Sequence, residues 1–549
     1  MSATEAELER VDPDVLMEHM RAFAERVKLS GTPEELESFR YLQGRLQALG
    51  FRTELILHDA LISLPGACRV TVGNQALTAI THSFSRPSGP GGLRAELVDV
   101  GKGDLAEFAG RDVRGKIVLA FGIANPGVAA LARDAGAAGQ LHISPHEHLH
   151  EMCISPVWGS PSAETLAQLP STVAATISRA DGEALRARLQ AGERIEAVIE
   201  AEVDTGWRKT PILQADMDGP EPGGPFVMLS GHHDTWYYGV MDNGGANASQ
   251  IEVARVCAER RQEWQRGLRV LFWSGHSHGR YSSSAWYVDH YWDELEERCA
   301  AHINLDSTGG IGATDLTHSG TSAELAGLVA DAVRAETDQA HAGRRLSRNS
   351  DNSFWGVGIP TALGSLSHQP DGAGDMRNAL GWWWHTPHDT LDKIDPANLA
   401  RDTRVALRVV WRLLTERLLP LDLGAQLDFL IGELRRLQAT AGEKAKLGDV
   451  VKLAEACREA AGQLGRVEPA VANRALMRAA RLLIPLDYTS GDRFQPDPAL
   501  NQEPWPSLDP IRALAAASGE TKAHQEVSAI RARNRLASAL RATLAVLRP

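Results

Sequence analysis

The sequence predicts an α/β protein: a central mixed, mostly parallel sheet sandwiched by helices, with a β-rich insert and a C-terminal helical bundle. Three observations point to it. From residue 225 short apolar runs alternate with helical stretches, the pattern of strands covered on both faces. The polar, chemistry-bearing residues fall just after those runs, where open α/β sheets bind their ligands. From 396 onward the chain turns helical and rich in Leu, Ala, Arg and Glu.

The elements follow in order. Val15, Leu16, Met20, Phe23 and Val27 recur at helical spacing, and a second helix is expected from Pro33 to Leu49. Thr32 caps it, Pro33 takes the first helical position and Gly50 ends it. Residues 51–57 alternate as a strand. From about 70 to 205 strand-like runs, short helices and many glycines intermix, with a strand at 113–120 and a small-residue helix at 128–135. Strands are then expected at 225–230, 268–273, 301–305 and 358–363, with a helix at 246–260. A Pro-rich extended segment interrupts the C-terminal helices at 484–508.

Length and composition narrow the function. A chain of 549 residues divides into two to four domains. With 57 Lys and Arg against 70 Asp and Glu, a net charge of −13 and no basic block disfavour nucleic acid as a partner. No run of ~18 apolar residues is present, so no membrane span is expected. Cys68, Cys153, Cys257, Cys299 and Cys457 are scattered and form no zinc spacing or disulfide framework. The polar start, Met1 to Glu5, has no signal region, and the expected compartment is the cytoplasm.

Five segments carry the chemistry. They are Gly231-His232-His233-Asp234-Thr235, Met241-Asp242-Asn243-Gly244-Gly245, Gly275-His276-Ser277-His278-Gly279, Asn304-Leu305-Asp306-Ser307 and Trp384-His385-Thr386-Pro387-His388-Asp389. Imidazole and carboxylate are the ligands zinc prefers outside thiolate sites. One histidine alone is more often structural. Here they follow successive strands of one sheet, which gathers them in space.

These segments resemble the metallopeptidase family of bacterial leucyl aminopeptidases and glutamate carboxypeptidase II, with the transferrin receptor as a non-enzymatic member. The resemblance covers about 15–415 and implies an aminopeptidase-type fold over 1–67 and 205–415. Residues 68–204 resemble a protease-associated insert, and 416–549 the family's dimerisation domain, which implies a homodimer. The resemblance also implies that His232, Asp242 and Asp306 bind one metal, that Asp234 orients His232, and that Asp242 bridges to a second metal at His385. Zinc is the expected ion, in one or two equivalents, with iron or manganese as alternatives.

The family's motif also needs two adjacent glutamates, a general base and a metal ligand; here His276 and Ser277 stand in those places. His276 is then either the base or an extra ligand, and His278 is a further candidate ligand. Alternation along an extended segment points His276 and His278 the same way. Trp236, Tyr237 and Trp384 are expected to wall a pocket. Asn352, in place of a family histidine, and Arg348 are assigned to the substrate, with solvated surface charge as the plain alternative for Arg348. His142, His146, His148 and His150 are expected in a loop over the pocket. The expected function is metal-dependent hydrolysis of an amide or peptide-like bond in a small substrate. The alternatives are a different metalloenzyme reaction such as a lyase step, or a binding protein.

Overall fold

A computed structural model describes residues 10–370 and 380–548; residues 1–9, where a signal region was read as absent, lie outside them. Among the described residues fourteen strands pair into one sheet. In chain order they are β1 (Arg52–Val72), β2 (Gln75–Leu77), β3 (Ala79–Thr81), β4 (Leu93–Asp99), β5 (Ile117–Phe121), β6 (Gly139–Ile143), β7 (Val173–Ile177) and β8 (Glu196–Met217). Then follow β9 (Phe226–His232), β10 (Gly267–Trp273), β11 (Cys299–Asp306), β12 (Gly320–Thr321), β13 (Arg344–Arg345) and β14 (Thr361–Ser365). Spatially β14, β11, β9 and β10 lie side by side and parallel, and β8 closes this group antiparallel to β10.

Strand alternation explains how this sheet is covered on both faces. Val227 and Leu229 of β9, with Val270 and Phe272 of β10, pack into the core under helices α1 (Pro13–Ala24), α2 (Pro33–Ala48), α3 (Ala246–Ala258) and the long helix Pro396–Thr415. Phe226, Met228, Leu271 and Trp273 face the other way, against Tyr287, Val288 and Leu295. The predicted caps are present: Thr32 accepts from the Glu35 N–H at the start of α2, and Gly50 follows it with φ +88°.

The expected strand at 51–57 is only the beginning of β1. It pairs antiparallel with β8 over almost all of its 21 residues, and the ribbon serves two cores. Ile212, Leu213 and Ala215 of β8 belong to the cores of the parallel sheet. Val70, Val72, Ala197 and Ile199 belong to the separate core of β4–β7. The register shift between Pro65 and Cys68 lies at the crossover. The expected boundaries at 67/68 and 204/205 therefore fall inside strands. A two-stranded ribbon with polar residues on both sides gives no composition change to read.

The C-terminal helices include Leu423–Ala441, Gly448–Gln463, Pro469–Tyr488 and Thr521–Leu547. The extended segment begins at 489 rather than 484, because Pro485 is accommodated inside a helix and buried there. Among the described residues no disulfide joins any of the five cysteines. Among the described residues no helix is long and apolar enough to cross a membrane.

Glu324, at the join between the parallel-sheet domain and these helices, is 1% exposed, and neither carboxyl oxygen has a hydrogen-bond partner. Burial raises its pKa to about 7, helped by Asp487 and Asp422. A folded-state pKa above the unfolded value means stability is lost as pH rises from about 4.5 through 7. Glu324→Gln is expected to raise the melting temperature at pH 8, by the equivalent of roughly 1–3 kcal/mol, and to change little at pH 4. An equal shift at both pH values would show that ionisation is not the cause.

Candidate metal centre

Three parallel neighbours build the site. Trp273 of β10 is in register with His232 at the end of β9, and Asn304 of β11 pairs with Ser230 two residues before it. The carboxyl ends of β10, β9 and β11 thus bring His276, His232 and Asp306 together, with one donor atom of each within 4.8 Å of the others. Asp242 enters from the loop before α3. Asp389 clamps that loop by accepting from the Met241 N–H at 2.9 Å and the Asp242 N–H at 3.0 Å. Burial pushes Asp389 up to about 7 against those two bonds.

Each imidazole at the centre has Nδ1 turned outward. His232 Nδ1 faces the Asp234 carbonyl at 2.9 Å, His276 Nδ1 the Asp351 carboxylate at 2.7 Å, and His385 Nδ1 the Glu151 carbonyl at 2.7 Å. An acceptor at Nδ1 fixes the hydrogen there, which leaves Nε2 with a lone pair. His232 Nε2 lies 3.0 Å from Asp242 Oδ1 and 3.7 Å from Asp306 Oδ1, and His385 Nε2 lies 3.1 Å from Asp242 Oδ2. Lone pairs therefore confront carboxylate oxygens in a buried space.

Such an arrangement suits positive charge between the groups, supplied by a proton on the ring or by a metal ion. His232 Nε2 and Asp242 Oδ1 are both buried, and despite their proximity neither makes a directional hydrogen bond. Burial opposes charge on His232, but Asp242 and Asp306 together pull its pKa well above 6.5. His385 also faces Asp242, yet its pKa is lowered, because burial outweighs a single carboxylate. A histidine tied to an outer acceptor beside two carboxylates is a nitrogen and oxygen donor set of the kind zinc accepts. His232, Asp242 and Asp306 fit a divalent ion.

Several expected roles change. The Asp234 carboxylate does not orient His232; the Asp234 backbone carbonyl does. Its side chain accepts instead from Ser30 Oγ (2.6 Å) and from the backbone N–H of His276 (3.2 Å) and Ser277 (2.9 Å), fixing the turn after β10. That turn is not extended, so alternation fails. Gly275 starts it at φ +65°, where an added Cβ would collide with Ser282 Oγ. His278 consequently leaves the centre. Its Nδ1 is 3.0 Å from Ser30 Oγ, its ring packs on Trp236 at 4.4 Å, and burial lowers its pKa to about 4.

Trp236 is buried between His278 and His385, 5.2 Å from the latter, and Trp384 stacks on His385 at 3.5 Å. Tyr237 is half-buried and its hydroxyl meets the Glu151 carboxyl, which burial raises to about 7. Arg348 is placed elsewhere. Its guanidinium donates to the carbonyls of Tyr488, Asp497 and Pro498 and lies over Trp158 and Trp355, so it anchors the C-terminal segment. Asn352 donates to the Asn349 carbonyl at 2.9 Å and is 2% exposed. The neighbour that matters is Asp351, fully buried, for which the sequence raised no expectation. Ser350 was likewise unassigned; its hydroxyl donates to Asp306 Oδ2 at 2.9 Å.

Residues 214–410, which hold all five segments, match the model of peptidase family M28. This part of the chain is similar to peptidase family M28. The protein named "Probable glutamate carboxypeptidase VP8" in Zea mays is 22% identical over 520 residues, spanning 80% of this chain and 71% of its own length. Among solved structures, an aminopeptidase from Aneurinibacillus sp. strain AM-1 superposes with a TM-score of 0.59 at 23% identity, covering 75% of this chain and 96% of its own. The zinc aminopeptidase of Bacillus subtilis gives 0.56 at 18% identity, with 74% and 96% covered. The matched segment carries histidine at 276 and serine at 277.

Proposed function

We propose that this M28-like protein is a zinc-dependent hydrolase that cleaves an amide or peptide-like bond of a small substrate, with His276 as its general base. The carrying observation is that His232, His276 and His385 all turn Nδ1 outward, leaving each Nε2 for a centre lined by Asp242 and Asp306. His232, Asp242 and Asp306 would hold one ion. Such an ion supplies Lewis acidity, polarising a carbonyl and lowering the pKa of water toward ~7. His276 Nε2, oriented by Asp351, takes the proton of the attacking water and returns it to the leaving amine. His385 steadies the second oxygen of Asp242, and Trp384 walls the site beside it. The family relatives named as aminopeptidases and carboxypeptidases support amide substrates.

The same reading takes 68–204 as a protease-associated-type domain and 416–549 as a dimerising one, in a cytoplasmic protein. Phe429, Val527 and Ile530 on the C-terminal helices are 40–50% exposed, which supports self-association. The test is elemental analysis together with a panel of aminoacyl- and acyl-amino-acid amides. About one zinc per chain, and turnover that a chelator stops and zinc restores, are expected. Protein that stays metal-free after growth with added zinc would sink the reading. A zinc protein inert on the whole panel would favour a second one: histidine for glutamate makes the centre nitrogen-rich, which suits another metal and a lyase-type step.

A further inference from the structure

The insert reaches the metal centre through one short segment, His146 to Glu151. Its contacts form a chain with a direction. The His148 N–H donates to His146 Nδ1 at 3.2 Å. A neutral imidazole has one N–H, so His146 carries its hydrogen on Nε2, which faces His150 Nε2 at 2.9 Å. His150 then carries its hydrogen on Nδ1 and donates it to the Trp384 carbonyl. One residue on, the Glu151 N–H donates to the His385 carbonyl at 3.0 Å, and the Glu151 carbonyl accepts from His385 Nδ1 at 2.7 Å.

The receiving backbone is strained. His385 has φ +57°, a left-handed conformation that non-glycine residues seldom adopt and that persists only where surroundings enforce it. The Trp384 ring lies against the His385 ring with planes 19° apart, so a shift of the Trp384 peptide moves both. His148 of the same segment stacks on Trp382 at 4.3 Å, seating the segment on the loop that carries His385.

We propose that the His146–Glu151 segment of the insert is a working part of the centre, and that His150 is the positioning residue that holds His385 in its strained, Asp242-facing conformation. The proposal rests on the metal-centre reading above. It makes the insert a component of the site as well as a cover over it. His385 in turn braces Asp242, a ligand in that reading, so the state of His150 is felt in the affinity for the ion.

The test uses the full-length chain and zinc alone. His150→Phe keeps the ring and removes the donor; His150→Asn returns an amide N–H near the place of Nδ1. Zinc affinity is measured by chelator competition, with the melting temperature of the metal-free proteins as a folding control. His150→Phe is expected to weaken zinc binding about 10–100-fold, the usual cost of losing an outer partner. His150→Asn is expected to bind close to wild type. Equal affinity in wild type and His150→Phe overturns the positioning role, and so does a His150→Asn protein as weak as the phenylalanine variant. Wild type that takes up no zinc overturns both this proposal and the reading beneath it.

Discussion

Replacing Asp242 by alanine is expected to leave the protein without bound zinc and to lower hydrolysis by roughly 10³-fold or more, since a catalytic metal supplies several kcal/mol of transition-state stabilisation. The Asp242 carboxylate meets two imidazoles at once: Oδ1 lies 3.0 Å from His232 Nε2 and Oδ2 lies 3.1 Å from His385 Nε2. Burial opposes its charge, but those two histidines hold its pKa well below the usual carboxylate range. The variant should fold, because the loop around position 242 is held through backbone N–H groups by Asp389 and through Asn243, whose side chain bonds to Leu305 and Ser307. Asp242→Asn tests the same point with less change of shape. Zinc content by elemental analysis, with circular dichroism as a folding control, decides it; a folded Asp242→Ala protein with a full equivalent of zinc would show that the ion binds elsewhere.

The parallel sheet was legible because its strands are short, apolar and bounded by glycine. Phe226 to Ser230 and Leu268 to Trp273 alternate between two buried faces and so read as continuous apolar runs. His232, Asp242, Asp306 and His385, which the fold brings together, were legible because each stands at a strand end or loop in a motif of fixed chemistry. Outer partners were not. Asp351 and Glu151 reach the centre from segments 75 residues after His276 and 234 residues before His385, and Glu151 contributes main-chain atoms, which no side-chain pattern encodes. Asp234 was found by its residue type but assigned the wrong bond, since the sequence does not say whether a carbonyl or a carboxylate comes closer to a ring nitrogen. His278 was misplaced because strand alternation was carried beyond Trp273, where β10 ends, through the turn at Gly275.

The exchange of glutamate for histidine at 276 is where the chemistry is decided, and two variants separate the roles open to that residue. His276→Ala is expected to keep about one zinc per chain and to lose about 10²–10⁴ in kcat, the usual contribution of a general base. Added imidazole should restore part of the rate, since His276 is 13% exposed and its removal opens space beside the centre. A ligand role predicts the opposite split, with zinc lost along with activity, and would transfer the proton-handling step to another group. Asp351→Asn acts one bond further out. Asp351 Oδ2 accepts from His276 Nδ1 at 2.7 Å while Oδ1 accepts from Ser284 at 2.9 Å, so the carboxylate is fixed at both ends and fully buried. An asparagine there can turn its amide N–H toward the ring and drive the imidazole hydrogen to Nε2, which removes the lone pair the reaction uses. The expected result is a fall in kcat of about 10–10⁴-fold with KM and zinc content near wild type, because a group without exposed surface cannot contact substrate. A rise in KM with kcat unchanged would place Asp351 in substrate binding and undo the pairing with His276 as the source of catalysis.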